Sequence, residues 1–181
     1  DTVNYLTSLL TNEQWYSLLQ VTDRSSRTPV HHAAKIGNTE TVSALTHSLT
    51  NEQWFSLLHI TDDNGIIPVH CAADGGSNKT VSCLTNTLTN EQWYSLLMTK
   101  DKYNITPAHA AACGVHGHDM LSALRETVTP EQWIDLLSIP LPNIIYRHDF
   151  INRIISESST VRNILENKPS SMLKLVRWIL Q

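Results

Sequence analysis

The ten residues LTNEQWYSLL (10–19) return almost unchanged as LTNEQWFSLL (49–58) and LTNEQWYSLL (88–97), and more loosely as VTPEQWIDLL (128–137). Trp15, Trp54, Trp93 and Trp133 are therefore spaced by 39, 39 and 40 residues. A fixed period of this length means that one supersecondary unit is used several times, each copy burying its apolar face on the next. A catalytic site needs its residues once; four even copies are parts of a framework. The opening TVNYLTSLL (2–10) aligns with TVSALTHSL (41–49). The chain thus begins inside a repeat and reads as a piece of a longer protein, which removes any argument from a missing targeting signal.

Residues 23–61 serve as the unit. DRSSR (23–27), DDNGI (62–66) and DKYNI (101–105) are rich in turn-forming residues. Gly65 and Asn104 share a position, and both types tolerate positive φ, which predicts a tight turn there; Ser26 in the first copy is the poorer fit. TPVHHAA (28–34), IPVHCAA (67–73) and TPAHAAA (106–112) follow, with proline where a helix begins and alanines small enough for close packing. Gly37, Gly75 or Gly76, and Gly114 or Gly117 end that helix. A second helix carries Val42, Leu45 and Leu49, matched by Val81, Leu84 and Leu88 and by Leu121, Leu124 and Val128, at helical spacing.

A turn, then T-P-x-H-x-A-A, a glycine and an amphipathic second helix resemble the ankyrin repeat, whose signature includes T-P-L-H-x-A. Three copies in register and one partial copy carry the resemblance over about residues 1–139. It implies an all-α, ankyrin-type helical solenoid with turn fingers. It also implies that His31, His70 and His109 are structural, hydrogen-bonding within and between turns. Ile67 stands where the other copies have threonine, so the bond from that hydroxyl is expected to be missing there.

The unit departs from the family in length, 39 residues against the usual 33 or so. The repeated phrase supplies the surplus. Thr50 and Gln53 have the spacing of a capping box, and Pro130 marks the same start in the last copy. Trp54, Leu57 and Leu58 then fall on one face of a third short helix. So short a helix is stable only through tertiary contact. The expectation is that Trp15, Trp54, Trp93 and Trp133 are buried structural residues that pack on the second helix and on the same helix of the next repeat.

Other chemistry finds little support. With 13 Lys+Arg against 17 Asp+Glu and no basic run, a nucleic-acid backbone is not the expected partner. No apolar stretch reaches the roughly 18 residues of a membrane span. Cys71, Cys83 and Cys113 are too few and irregular for a disulfide framework and fit a reducing, cytosolic setting. The patch ACGVHGHD (112–119) gathers Cys113, His116, His118 and Asp119, but their spacing matches no zinc pattern, so no metal is expected. His109 with Cys113, and His70 beside Cys71, lack a third group to orient a base. Neither an enzyme activity nor a cofactor is expected of this chain.

The repeat pattern stops after Trp133, and SIPLPNI (138–144) reads as a break. Residues 140–181 are expected to form a helical cap or the start of a further domain; a membrane-surface helix at 171–180 would carry too few basic residues. The function implied is binding of a partner protein on the concave face. By resemblance, the contact positions are Arg24, Ser25, Arg27, Lys35 and Ile36, then Asp63, Asn64, Ile66 and Asp74, then Lys102, Tyr103, Ile105 and Cys113. They vary between copies whose framework does not, and their charge runs from basic through acidic to mixed. The alternative is the targeting arm of a larger effector or signalling enzyme, acting in the host cytosol if a bacterium secretes it. The chain is expected to be monomeric, with the partial N-terminal repeat as its site of any self-association.

Overall fold

The computed structural model describes residues 2–75, 78–114 and 117–139. Eleven helices and no strand make up these described residues. They fall into three series that follow the repeat. The first helices are α3 (Pro29–Ile36), α6 (Pro68–Gly75) and α9 (Pro107–Cys113). The second helices are α1 (Thr2–Leu9), α4 (Thr39–Thr46), α7 (Asn78–Thr85) and α10 (Gly117–Glu126). The helices of the repeated phrase are α2 (Asn12–Leu19), α5 (Asn51–Leu58), α8 (Asn90–Met98) and α11 (Pro130–Leu137). Counterparts pack on one another: α3 on α6 and α6 on α9, α1 on α4, α4 on α7 and α7 on α10, and α8 on α11. The helical cap expected at 140–181 lies outside the described residues.

Each phrase helix starts as its sequence demands. Thr11, Thr50, Thr89 and Thr129 accept the backbone N–H of Gln14, Gln53, Gln92 and Gln132 at 3.2–3.3 Å. Each glutamine Oε1 accepts the threonine N–H in return at 2.9–3.0 Å. Two of the orphan donors of a helix start are thereby satisfied. Glutamine and asparagine also have a second task, which explains why the whole phrase recurs. Gln53 Nε2 donates to Asn12 Oδ1 at 2.9 Å, and Gln92 Nε2 to Asn51 Oδ1 at 2.8 Å. Asn12 and Asn51 in turn donate to the carbonyls of Ser48 and Thr87 in the following repeat. Cap and cross-repeat bond share one side chain.

The core is one cluster that takes in residues of all three helix series. Trp15, Trp54, Trp93 and Trp133 are all buried, as are Leu57, Leu58, Leu96, Leu97, Leu136 and Leu137 beside them. A buried indole needs a hydrogen-bond partner. Trp15 Nε1 donates to the Leu45 carbonyl and Trp54 Nε1 to that of Leu84, both at 3.1 Å. Trp93 Nε1 instead donates to Thr127 Oγ1 at 2.7 Å, and this hydroxyl donates to the Leu124 carbonyl. The tryptophan therefore ties its own repeat to the second helix of the next.

One detail differs from the spacing argument. Leu49, Leu88 and Val128 lie past the ends of α4, α7 and α10, in the connections rather than on the helices. They still pack, partly buried, against the core. Close packing also fixes Gly114, where an added Cβ would stand 2.6 Å from the Asp74 carbonyl oxygen.

Candidate functional site

The three fingers share one frame. Asp23 Oδ1 accepts the N–H of Ser25 at 2.8 Å and of Arg27 at 3.0 Å. Asp62 does the same for Asn64 and Ile66, and Asp101 for Tyr103 and Ile105, at 2.8–3.0 Å. The aspartate N–H closes each loop on the carbonyl of Arg27, Ile66 or Ile105 at 2.9 Å. Such bonds favour the ionised carboxylate. They hold Asp23 at about 2, the Arg27 N–H leading and the His32 ring and Ser25 N–H adding to it. Burial pushes Asp62 upward, but the N–H groups of Asn64 and Ile66 and the Arg27 guanidinium outweigh it and leave its pKa lowered.

Position four of each finger has positive φ: Ser26 at 62°, Gly65 at 76° and Asn104 at 61°. Ser26, the poorer fit on residue type, adopts it like the others. Its neighbour explains this, because Ser26 Oγ donates to Asp63 Oδ1 of the next finger at 2.6 Å. Fingers are also joined through their backbones: Asp63 N–H donates to the Ser25 carbonyl at 3.2 Å, and Lys102 N–H to that of Asn64 at 2.9 Å.

Behind the fingers, the histidines lock each first helix to the finger beyond it. The Thr28 N–H donates to His31 Nδ1 at 3.1 Å, while His31 Nε2–H donates to the Ile66 carbonyl at 3.0 Å. His70 reaches the Ile105 carbonyl at 2.9 Å. His109 reaches Ile139 at 3.1 Å, 30 residues on rather than 35, because its acceptor lies in the connection directly after α11. Threonine hydroxyls support Nδ1 at Thr28 (2.8 Å) and Thr106 (3.0 Å). At Ile67 only the backbone N–H faces the ring, at a longer 3.4 Å. Burial lowers the pKa of His31 and His70 and takes His109 down to about 4, so the rings are neutral and unsuited to proton transfer near pH 7.

The candidate contact residues divide into two groups. Several are engaged across the repeat boundary. Arg27 Nε donates to the buried Asp62 Oδ2 at 3.0 Å; Lys35 pairs with Asp74; Lys102 Nζ donates to Asn64 Oδ1. Asp63 accepts from Ser26, and Ile66 and Ile105 are half-buried, their carbonyls serving His31 and His70. The alternation of charge along the row thus has an internal account, since unlike charges face each other between neighbouring copies. The second group points to solvent: Arg24, Ser25, Ile36 (76% exposed), Tyr103 (59% exposed) and Cys113. Lys102 Nζ stands 5.1 Å from the Tyr103 ring centroid.

Residue types alone did not reveal Asp62 as a buried ion-pair partner or Asn12 and Asn51 as cross-repeat donors. Their signal was the recurrence of Asp at 23, 62 and 101 and of Asn at 12, 51 and 90.

Among the described residues no group of three or more His, Cys, Asp or Glu side chains could hold a metal ion. Of the irregular patch, Cys113 and Asp119 are exposed, and His116 lies outside the described residues. Cys71 is buried, which pushes its thiol up to about 11 and away from nucleophilic use. No described helix is long and apolar enough to cross a membrane. No protein-family model matches the chain, and no curated protein matches it.

Proposed function

We propose that the chain is a protein-binding module of the ankyrin type, a helical solenoid whose finger tips and first helices form the face on which a partner protein docks. One observation carries this reading: three fingers with the same backbone frame present different tips, Arg24-Ser25, Asp63-Asn64 and Lys102-Tyr103. A framework held constant while its outward residues change is what a scaffold with an address requires. Ile36 at the end of α3 and Tyr103 in the third finger are exposed, and exposed aromatic and aliphatic anchors are the usual centres of binding energy. A cytosolic setting belongs with the reading.

The test is affinity capture with the unaltered chain and with Arg24→Ala, Ile36→Ser and Tyr103→Ala combined. All three side chains are exposed, so melting should be nearly unchanged. Loss of the captured protein with retained melting supports the face; undiminished capture removes it.

A further inference from the structure

Asn64 is the one asparagine of the sequence followed by glycine. The backbone nitrogen after an asparagine can attack the side-chain amide carbon and close a five-membered imide, and a glycine nitrogen carries no side chain nearby to block the approach. Elsewhere the approach is crowded: Asn12, Asn51 and Asn90 precede glutamates, and Asn104 of the third finger precedes the branched Ile105. Glycine is nevertheless what the second finger needs, because Gly65 has φ 76° and a Cβ there would stand 3.0 Å from the Lys102 backbone nitrogen. The turn therefore keeps a reactive pair that a side chain at 65 would remove.

The folded finger restrains both reacting groups. The Gly65 N–H donates to the Asp62 carbonyl at 2.9 Å, which occupies the proton the nucleophile must lose. The Asn64 N–H donates to Asp62 Oδ1 at 2.8 Å, and the Asn64 carbonyl accepts the Lys102 N–H at 2.9 Å. The side-chain Oδ1 of Asn64 accepts from Lys102 Nζ. Ring closure needs a Gly65 nitrogen free of its proton and an amide carbon turned onto it, and these four bonds oppose both.

We infer that Asn64–Gly65 is a self-modification site that the folded finger holds in check and that local opening releases. In the opened finger the Gly65 nitrogen bonds to Asn64 Cγ and yields its proton to water; the Cγ–Nδ2 bond breaks, and ammonia leaves with a proton taken from water. A water molecule then splits the imide at one of its two carbonyls. The product at position 64 is aspartate or, with Gly65 now joined through Cγ, isoaspartate. Either adds a negative charge to the second finger. Isoaspartate also lengthens the main chain by a methylene, so the closing bond of Gly65 on Asp62 cannot re-form in register. The chemistry needs no partner, so its test is independent of docking.

The full chain is incubated at mildly alkaline pH in native buffer and in guanidinium chloride. Conversion at each asparagine is read by peptide mass spectrometry and by enzymatic labelling of isoaspartate. Asn64 should lead, and its conversion should run about tenfold faster or more in the denaturant. Asn64→Gln, which keeps the amide but would need a larger ring, should remove that signal. The fraction converted in native buffer, separated by its extra negative charge, should exchange amide hydrogens faster at residues 62–66 than the unconverted chain. Equal rates at Asn64 in the two solvents overturn the inference. So does conversion led by another asparagine in the denaturant, or unaltered exchange at 62–66 in the converted fraction.

Discussion

The indole N–H of Trp54 donates to the Leu84 carbonyl at 3.1 Å, crossing a repeat boundary to an acceptor 30 residues away. The same bond joins Trp15 to Leu45. A tryptophan that is buried, flanked by two buried leucines and bonded to the next repeat is a stacking residue. The repeated phrase is a joint, written once per unit because each boundary needs one.

Trp54→Ala should cost ~3–5 kcal/mol, the usual penalty for emptying a large core position. Trp54→Phe keeps most of the apolar volume and leaves the Leu84 carbonyl without its donor, so a smaller loss is expected, about 1–3 kcal/mol. Urea unfolding of the two variants measures both. Equal losses would mean that the hydrogen bond, not packing, holds the seam.

Acid should loosen the array before it titrates Asp23 and Asp62. His31, His70 and His109 are buried as neutral rings, with pKa values below the ordinary 6.5 and His109 at about 4. The unfolded chain therefore takes up these protons first, and stability is full above about pH 6.5 and falls as pH drops towards 4. His109 alone accounts for a loss on the order of 3 kcal/mol. Asp23 and Asp62 have lowered values and titrate below this window. Denaturation midpoints between pH 7.5 and 4.5 should fall steadily for the unaltered chain and less for His109→Gln. A flat profile would contradict the neutral-ring clips.

The cross-repeat ion pairs Arg27–Asp62 and Lys35–Asp74 should differ sharply in worth. Arg27→Ala leaves the buried Asp62 carboxylate without its guanidinium and should cost about 1–3 kcal/mol. Lys35 and Asp74 are both exposed, and Lys35→Ala should change stability by less than about 1 kcal/mol. Thermal melts of the single variants give the comparison. A larger loss at Lys35 would reverse the assignment of burial.

The finger tips give a third contrast. Gly65 has φ 76°, and a Cβ there would approach the Lys102 backbone nitrogen at 3.0 Å, so Gly65→Ala should destabilise by about 1–2 kcal/mol. Ser26→Gly relieves the same backbone cost but loses the bond to Asp63, so the change should stay within about 1 kcal/mol. Denaturant midpoints for the pair separate backbone strain from the hydroxyl bond.

What was legible in the chain was what is local or periodic. Capping boxes at Thr11, Thr50, Thr89 and Thr129 could be read because their bonds span three residues, and tryptophan burial because its leucines lie on the same helical face. Bonds between copies were harder. Ser26 looked ill-suited to its turn because the group that supports it, Asp63, belongs to the next repeat. Arg27 and Lys35 looked like free recognition charges for the same reason: Asp62 and Asp74 are 35 and 39 residues away. The His109 acceptor escaped the period altogether, because Ile139, two residues past the end of α11, takes the place at the ring that a finger carbonyl takes in the other copies.

Hydrogen–deuterium exchange on the captured complex tests the central claim, that phrase helices build the array and fingers bind. The account predicts slowed exchange on partner binding in residues 23–27, 62–66 and 101–105, with α2, α5 and α8 unaltered. Slowing confined to α2, α5 and α8, with the fingers exchanging as in the free chain, would contradict it.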